Sequence, residues 1–187
     1  MALVFAQAVP AALSEPEVPK PILEQAKGEV MIASECRCCE MNAADRPSWG
    51  DGPWANEPDR AEWEHNGLPC ITHRGGNGAW CGYVGVPPTH PLHGKRYGEV
   101  DLEVHGGLTY SDACHGHICH TPKPGEGDDV WWFGFDCAHA FDLCPTIDAK
   151  MRDYIFHGIP EGHYWTLEEV RAEVNQLADQ LAALMVK

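Results

Sequence analysis

The sequence predicts an α+β domain in which a small, mainly antiparallel sheet packs against a C-terminal amphipathic helix. Short runs of β-branched and aromatic residues are separated by turn residues, as in a sheet of short strands. The chain has 19 Gly and 15 Pro among 187 residues, more than a helical bundle tolerates. One long segment near the end has the three- and four-residue apolar spacing of a helix. We therefore expect one sheet, one long helix and many loops.

Residues 1–51 are predicted to be a flexible, poorly ordered leader, and residues 52–187 a single domain. The apolar residues of the leader show no sustained period, and prolines interrupt it. Its first apolar run is only about six residues long and has no basic residues before it, so we do not expect a secretory signal. We therefore place the protein in the cytoplasm, with mostly reduced thiols. The interrupting prolines are Pro10, Pro16, Pro19 and Pro21.

The first predicted strands lie between residues 57 and 86. Residues 57–65 are polar with one Trp and fit either a short helix or an edge strand. Residues 68–73 and 79–86 read as two strands joined by the Gly-rich turn 74–78, whose residues tolerate positive φ. Two prolines end the second strand. This pair is the clearest hairpin in the sequence.

Two more strands are predicted further along the chain. Residues 99–105 alternate strictly between polar and apolar side chains, which indicates a half-buried strand that ends at His105. Residues 111–129 read as a long polar loop. Residues 130–135 are apolar on both faces, which is typical of a central strand covered on both sides.

The last element is a predicted helix over residues 166–185. Thr166 as N-cap and Glu169 three residues later form a capping box. The apolar stripe of this helix must be buried, either against the sheet or against a second copy of the chain, so a homodimer is one possibility. The stripe consists of Leu167, Val170, Val174, Leu177, Leu181 and Leu184.

Charge and hydropathy exclude two classes of partner. The chain has 28 Asp and Glu against 13 Lys and Arg, a formal charge of −15. Such an acidic surface repels phosphate backbones, so general nucleic-acid binding is not expected. No run of about 18 apolar residues is present, so no membrane span is expected either.

A first candidate site follows the predicted strand 99–105. His105 is followed by two glycines, which allow close approach of the backbone to another object. That object is either a ligand or a neighbouring strand. His105 can act as acid, base or metal ligand near neutral pH, and Tyr110 and Ser111 can donate to phosphate or sugar oxygens. The alternative is a tight turn with a hydrogen-bonded His.

A second candidate site follows the predicted strand 130–135. If Asp136 begins a helical turn, Asp136 and His139 share a face and Asp142 extends it. Asp136 is otherwise a simple N-cap. A carboxylate at the end of an apolar strand needs cationic, metal or N–H partners, because burying it alone is costly. Cys137 is either a nucleophile or a small buried apolar residue.

The two sites converge if the strands 99–105 and 130–135 are neighbours. His105, Asp136 and His139 would then form a set of two His and one carboxylate, which can hold a divalent metal such as zinc and activate water. The alternative, which the sequence favours, is a metal-free pocket built from the same residues with Asp142. An anionic group of its ligand would be bound by Arg74, Asn77 or Arg96.

Two further segments, Cys36–Cys39 and Cys114–His120, are dense in zinc ligands. Neither has the paired C-x2-C spacing of a structural zinc site. We interpret them as exposed loops that bind metal adventitiously.

Several motifs from Gly52 onward resemble an uncharacterised group of proteins from bacteriophages and prophages, often of actinobacterial hosts. EVHGGLTYS and WWFGFDCAH are the most specific, together with GPWANEPDRAEW, GLPC, CGYVGVPPTHPLHGK and EEVRAEVNQLADQL. The resemblance implies a phage-type accessory protein and brings no established activity, so no residue inherits a role from it.

Three hypotheses follow for the function. The leading one is a phage-type accessory protein that binds a small polar ligand, nucleotide-like or a sugar phosphate, between the HGGLTYS and FDCAHAFD segments. The second is a metal-assisted hydrolase that uses His105, Asp136 and His139. The third is an acidic protein-interaction module that dimerises through helix 166–185.

Overall fold

A computed structural model describes residues 46–120, 125, 127, 129–151 and 162–185. Within these residues, five strands form one antiparallel sheet in the order β1-β2-β3-β5-β4, and a C-terminal helix packs on it. The predicted α+β class is therefore confirmed. The elements are β1 (Arg60–His65), β2 (Leu68–Arg74), β3 (Trp80–Val86), β4 (Tyr110–Ala113), β5 (Trp131–Asp136), α1 (Pro145–Met151) and α2 (Leu167–Met185).

The predicted leader, residues 1–51, lies outside the described residues except for positions 46–51. Arg46–Trp49 form a short 3-10 turn in which Trp49 is fully buried. The Arg46 side chain forms an ion pair with Asp59 and donates to the carbonyl of Trp54. Residues 46–51 therefore pack on the domain that was predicted to begin at Gly52. No helix among the described residues is long and apolar enough to cross a membrane.

Strands β1, β2 and β3 form an antiparallel meander. Residues 57–65, which fitted a helix or an edge strand, contain the edge strand β1. Asn66 and Gly67 join β1 to β2 with φ values of 51° and 78°. Positive φ at both turn residues gives a hairpin turn whose twist matches that of the strands. The predicted hairpin of residues 68–86 is also present, as β2 and β3.

The prediction of a strand over residues 99–105 is wrong. Tyr97–Glu99 form a 3-10 turn, and the extended residues that follow pair with none of the five strands. Their backbone groups bind side chains of α2 instead. The backbone N–H of Glu103 donates to Gln180 Oε1 (2.8 Å), and Gln180 Nε2 donates to the carbonyl of Glu103 (2.7 Å). The apolar side of the alternation still packs on the core, through Val100, Leu102 and Val104.

Part of the predicted loop 111–129 is the edge strand β4, which pairs with β5. Its four residues, Tyr-Ser-Asp-Ala, lack the apolar alternation that identifies a strand. The backbone N–H of Thr109 donates to the carbonyl of Gly134 (2.9 Å) and extends the pairing by one bond. The neighbour of β5 on this side is therefore β4 and not residues 99–105.

Helix α2 covers one face of the sheet. Its capping box forms as predicted: the Thr166 N–H donates to Glu169 (2.8 Å), and the Glu169 N–H donates to the Thr166 hydroxyl (3.3 Å). The apolar stripe packs against the sheet, which was the first of its two predicted environments. Its buried members are Val170, Val174, Leu177 and Leu181.

The opposite face of the sheet, here called the outer face, is formed by alternate residues that point away from α2. Ile71, Tyr83 and Trp132 form a small buried cluster there, and Ile118 packs on it. Ile118 belongs to residues 114–119, here called the outer-face loop, which a Cys114–Cys119 disulfide closes. The expectation of mostly reduced thiols is therefore not met at this pair.

Candidate functional site

Two imidazoles and one carboxylate from distant parts of the chain meet beside the N-terminal half of α2. His105, His139 and Asp142, here called the His–Asp cluster, each offer one ligand atom, and these atoms lie within 4.8 Å of one another. His105 Nε2 lies 2.8 Å from Asp142 Oδ2, and His139 Nδ1 lies 3.4 Å from the same oxygen. The side-chain exposures are 23%, 31% and 6% in that order. The cluster therefore has a buried carboxylate and two partly accessible imidazoles.

The position of His105 is fixed by α2 and by the glycine that follows it. The His105 backbone N–H donates to Glu173 Oε1 (2.5 Å). The His105 ring packs on Trp165, with ring centroids 4.2 Å apart. Gly106 has φ 66°, and a Cβ at this position would overlap the ring of His139. Glycine is therefore required where the two segments touch.

Asp142 accepts hydrogen bonds from three directions. Asp142 Oδ2 accepts the backbone N–H of His139 (2.9 Å) and contacts His105, while Oδ1 accepts Trp165 Nε1 (3.0 Å). Burial alone would raise the pKa of Asp142, but these hydrogen bonds outweigh burial and hold that pKa below its usual value. Asp142 is therefore an ionised carboxylate at neutral pH.

The turn that delivers Asp142 has an unusual backbone. Phe141 has φ 74° although it is not glycine, and its ring is 74% exposed. The carbonyl of Phe141 accepts the N–H of His163 (2.7 Å), and the N–H of Leu143 donates to the carbonyl of His163. These bonds flank Asp142 and hold the left-handed residue in place. Such conformations concentrate at functional sites.

One ring nitrogen of His139 makes no hydrogen bond within the described part of the chain. This atom, Nδ1, is buried. Asp142 Oδ2 lies 3.4 Å from this nitrogen, beyond the usual range for an N–H···O hydrogen bond. Buried polar atoms in native proteins usually have a partner. A metal ion or a ligand atom bound between Nδ1 and Oδ2 would supply one.

Three comparisons with known proteins give no relative. No family model, no curated protein and no solved structure matches the chain. Any role for the His–Asp cluster must therefore be argued from its own geometry.

The structure places His105 and His139 beside each other, and the carboxylate next to them is Asp142 and not Asp136. Side chains alternate along β5, so Phe135 points toward α2 and Asp136 points to the outer face. Asp136 accepts the Thr109 hydroxyl (2.8 Å) and the N–H of Ala138 (3.1 Å). It therefore shapes the turn after β5 and connects it to the segment before β4.

Tyr110 and Ser111, predicted ligand-binding residues, make their described contacts within the sheet and a neighbouring turn. The Tyr110 ring packs edge-on against Tyr83 on the outer face, with centroids 5.4 Å apart. The Ser111 hydroxyl accepts the backbone N–H of Tyr97 (2.9 Å). Neither belongs to the His–Asp cluster.

The three residues proposed to bind an anionic group also lie in other parts of the fold. Arg74 is fully buried; it donates to Glu57 Oε2 (2.5 Å) and to the carbonyl of Gly78 (2.9 Å). Asn77 accepts the N–H of Ala79 (3.1 Å) in the β2–β3 turn. Arg96 is exposed, and its backbone N–H donates to Glu99 in the turn of residues 97–99. Their described contacts are thus structural.

The sequence left two roles for Cys137, a nucleophile or a small buried apolar residue. The environment of Cys137 favours the second role. This cysteine is 2% exposed and packs in the core beneath α2. Burial raises the pKa of its thiol well above the usual value. Because the thiolate is the nucleophile, this environment disfavours the reactive form of Cys137.

Sequence reasoning missed two residues that support the site, Trp165 and Glu173. Both belong to the region around α2, which we interpreted only through its capping box and its apolar stripe. Glu173 lies one turn after Glu169 on the polar side of that stripe, where exposed acids are common. Trp165 directly precedes the N-cap, where an apolar residue usually packs on the first turn of the helix, so its position gives no sign of a hydrogen bond to Asp142.

Proposed function

We propose that the protein is a metal-dependent hydrolase whose His–Asp cluster binds a divalent ion, with Zn²⁺ the best fit. One observation carries the proposal: His139 Nδ1 is buried, has no hydrogen-bond partner among the described residues, and lies 3.4 Å from the same Asp142 oxygen that His105 contacts. Two imidazoles with one carboxylate form a donor set that zinc and other divalent metals accept.

The spacing of the donor atoms suits one ion. Zinc binds imidazole nitrogen and carboxylate oxygen at about 2.0–2.2 Å, so two tetrahedral ligand atoms lie about 3.3 Å apart. The distances from Asp142 Oδ2 to His105 Nε2 and His139 Nδ1 are 2.8 and 3.4 Å. Both distances are close to the separation expected for two ligands of one zinc ion.

Three protein ligands leave a coordination position open for water, and a bound divalent ion lowers the pKa of that water into the neutral range. Neighbouring residues of the chain hold the proposed metal ligands in position. Trp165 donates to Asp142 Oδ1 and orients the carboxylate, so that Oδ2 faces the imidazoles. Glu173 fixes the His105 backbone. Outer contacts of this kind support ligands in many metal sites.

A metal-free binding site is the second candidate. The two segments of the leading sequence hypothesis do contact each other: Gly106 lies against the ring of His139, and Thr109 bonds Asp136. The His105–Asp142 hydrogen bond also satisfies two of the three donor atoms without a metal. On this alternative a small polar ligand, as expected of a phage-type accessory protein, would bind His139 Nδ1 directly.

Zinc binding tests the proposal with a matched pair of variants. Asp142→Asn removes a ligand, whereas Asp136→Asn makes the same chemical change outside the cluster. Competition with a chromogenic zinc chelator should give one Zn²⁺ per chain for the wild type with its Cys114–Cys119 disulfide intact. Asp142→Asn should weaken binding by at least about 100-fold, since even outer-shell partners are worth 10–100-fold. Equal affinities for the wild type and both variants would overturn the assignment.

Hydrolysis is tested separately with p-nitrophenyl acetate and bis(p-nitrophenyl) phosphate as probes. We expect turnover of at least one probe, loss of that turnover with a chelator, and recovery on addition of Zn²⁺. Asp136→Asn should keep the activity and His139→Ala should lose it. Tight zinc binding with no turnover of either probe would refute the hydrolase and retain only the metal site.

A further inference from the structure

The outer-face loop contains four potential metal ligands within six residues, Cys-His-Gly-His-Ile-Cys. It is fastened to the sheet: Ile118 packs in the outer-face cluster, and the Arg60 guanidinium donates to the carbonyls of His117 and Cys119. Arg60 itself is 7% exposed and pairs with Glu62. The loop is therefore fastened to the sheet by contacts in addition to its disulfide.

A buried imidazole lies directly beneath this loop. His73, on β2, is 4% exposed and stacks on Tyr83, while the ring of His117 meets it edge-on with centroids 4.2 Å apart. His73 Nδ1 lies 3.1 Å from the carbonyl of Arg74, so Nδ1 carries the proton. The lone pair is then on Nε2, which is buried and has no hydrogen-bond partner among the described residues.

We propose that reduction of the Cys114–Cys119 disulfide converts the outer-face loop and His73 into a binding site for a thiophilic divalent ion, with Zn²⁺ the best fit. The ligands are the two cysteine thiolates, His117 and His73. Two thiolates and two imidazoles make the tetrahedral donor set of structural zinc sites. This site is separate from the His–Asp cluster and does not depend on the proposed hydrolase.

The positions of the two cysteines are compatible with one ion. Their Cα atoms are 4.9 Å apart. Two sulfurs bound to zinc at about 2.3 Å lie about 3.8 Å apart in a tetrahedral site, which cysteines at this Cα separation can reach. The positive charge of Arg60, which already contacts the loop carbonyls, also favours the thiolate forms.

The conversion needs a two-electron reductant, and a dithiol balances it as follows. Two electrons and two protons pass from the reductant to the Cys114–Cys119 pair. The Sγ–Sγ bond breaks, each sulfur becomes a thiol, and the reductant forms its own disulfide. Metal binding then displaces the two thiol protons. In the oxidised state the sulfurs are bonded to each other and supply no thiolate, so the site exists only after reduction.

Cobalt titration tests this proposal, because thiolate-bound Co²⁺ gives an intense charge-transfer absorption that imidazole and carboxylate ligands do not. The full chain is used with Cys36, Cys38 and Cys39 changed to Ser, which removes the upstream thiols. After reduction with a phosphine and its removal without air, we expect one Co²⁺ per chain with this absorption. The oxidised protein should lack it.

Matched variants identify the ligands. His117→Gln and His73→Gln should each weaken Co²⁺ binding at least about tenfold, whereas His115→Gln, a change at an exposed residue of the same loop, should not. Absence of the absorption in the reduced protein, or equal binding by all three variants, would overturn the proposal. A second test does not depend on the folding of any variant. Wild-type protein is reduced and then treated with iodoacetamide, with and without Zn²⁺. Zn²⁺ should protect Cys114 and Cys119 from alkylation, and failure to protect them would also refute the site.

Discussion

Gly106 shows how a single missing side chain permits the His–Asp cluster. Gly106 and Gly107 both have positive φ, 66° and 84°, but of the two only Gly106 would bring a Cβ against another group, the ring of His139. At Gly107 no atom of the described residues lies within 4 Å of the position that a Cβ would take. Substitution of Gly107 therefore tests backbone strain alone, whereas substitution of Gly106 tests backbone strain together with steric overlap.

We predict that Gly106→Ala destabilises the fold more than Gly107→Ala. Both variants incur the cost of a non-glycine residue in the left-handed region, about 1–2 kcal/mol. Gly106→Ala also displaces His139, which adds about 1–3 kcal/mol of overpacking and should weaken zinc binding. Urea unfolding and zinc titration measure the two effects. Equal losses for both variants would show that the contact with His139 is unimportant.

The titration of His73 makes the free energy of unfolding depend on pH. Burial, reinforced by the nearby His117 and Arg60, lowers the pKa of His73 from 6.5 to about 4, against the opposing effect of its hydrogen bond to Arg74. Between these values the unfolded chain binds a proton that the folded chain does not, so stability falls as the pH falls. Above pH 6.5 the group is neutral in both states and has no effect.

We predict that the oxidised wild type loses about 3 kcal/mol of unfolding free energy through His73 between pH 7 and pH 4. His73→Gln should lack this component, so the difference in stability between the two proteins should shrink as the pH falls. Urea unfolding at several pH values measures it, and the subtraction cancels groups that titrate in both proteins. A difference that does not change with pH would contradict the prediction.

At the scale of elements, residues 99–105 show what a hydrophobic pattern can and cannot predict. The alternation correctly indicates an extended segment with its apolar side inward. It does not identify the hydrogen-bond partner, which is Gln180 on α2 and not a strand. Gln180 lies 77 positions from Glu103, and a polar residue on the exposed side of a helix carries no sign of such a pairing. For the same reason, the sequence pattern did not show that Asp142, and not Asp136, is the carboxylate beside the two imidazoles.

We predict that Gln180→Ala releases the segment of residues 99–105 from α2. Loss of two hydrogen bonds should cost about 1–3 kcal/mol of stability, and the amide of Glu103 should exchange with solvent faster. Gln176→Ala, on an exposed position of the same helix, serves as the control. Hydrogen exchange followed by mass spectrometry measures the effect. Unchanged exchange in Gln180→Ala would mean that packing alone holds the segment.

At the scale of the whole molecule, one carboxylate connects the sheet to the helix. Glu57 Oε2 accepts Arg74 and the hydroxyl of Tyr164, both at 2.5 Å, and Glu57 Oε1 accepts the backbone N–H of Leu167 (2.8 Å). Arg74 is fully buried and lies 4.2 Å from the ring of Trp80. Three segments of the chain, around Glu57, Arg74 and residues 164–167, therefore meet at this carboxylate, and the start of α2 is fixed relative to β2.

We predict that Glu57→Gln is the most destabilising of the conservative variants considered, at about 3–5 kcal/mol, because it leaves the buried Arg74 charge with less compensation. Glu168→Gln, at an exposed residue of the first turn of α2, should change stability by less than about 1 kcal/mol. Thermal and urea unfolding compare the two. Similar stabilities would show that Asp59, 3.2 Å from Arg74 Nε, is sufficient alone.

The two edge strands of the sheet also affect how the protein behaves at high concentration. In β1, every second residue is charged: Arg60, Glu62 and Glu64. Strand β4 is only four residues long and contains Asp112. Charged or very short margins resist the addition of a foreign strand. Recruitment of further chains into an extended cross-β ribbon is thus disfavoured at both margins while the native state persists.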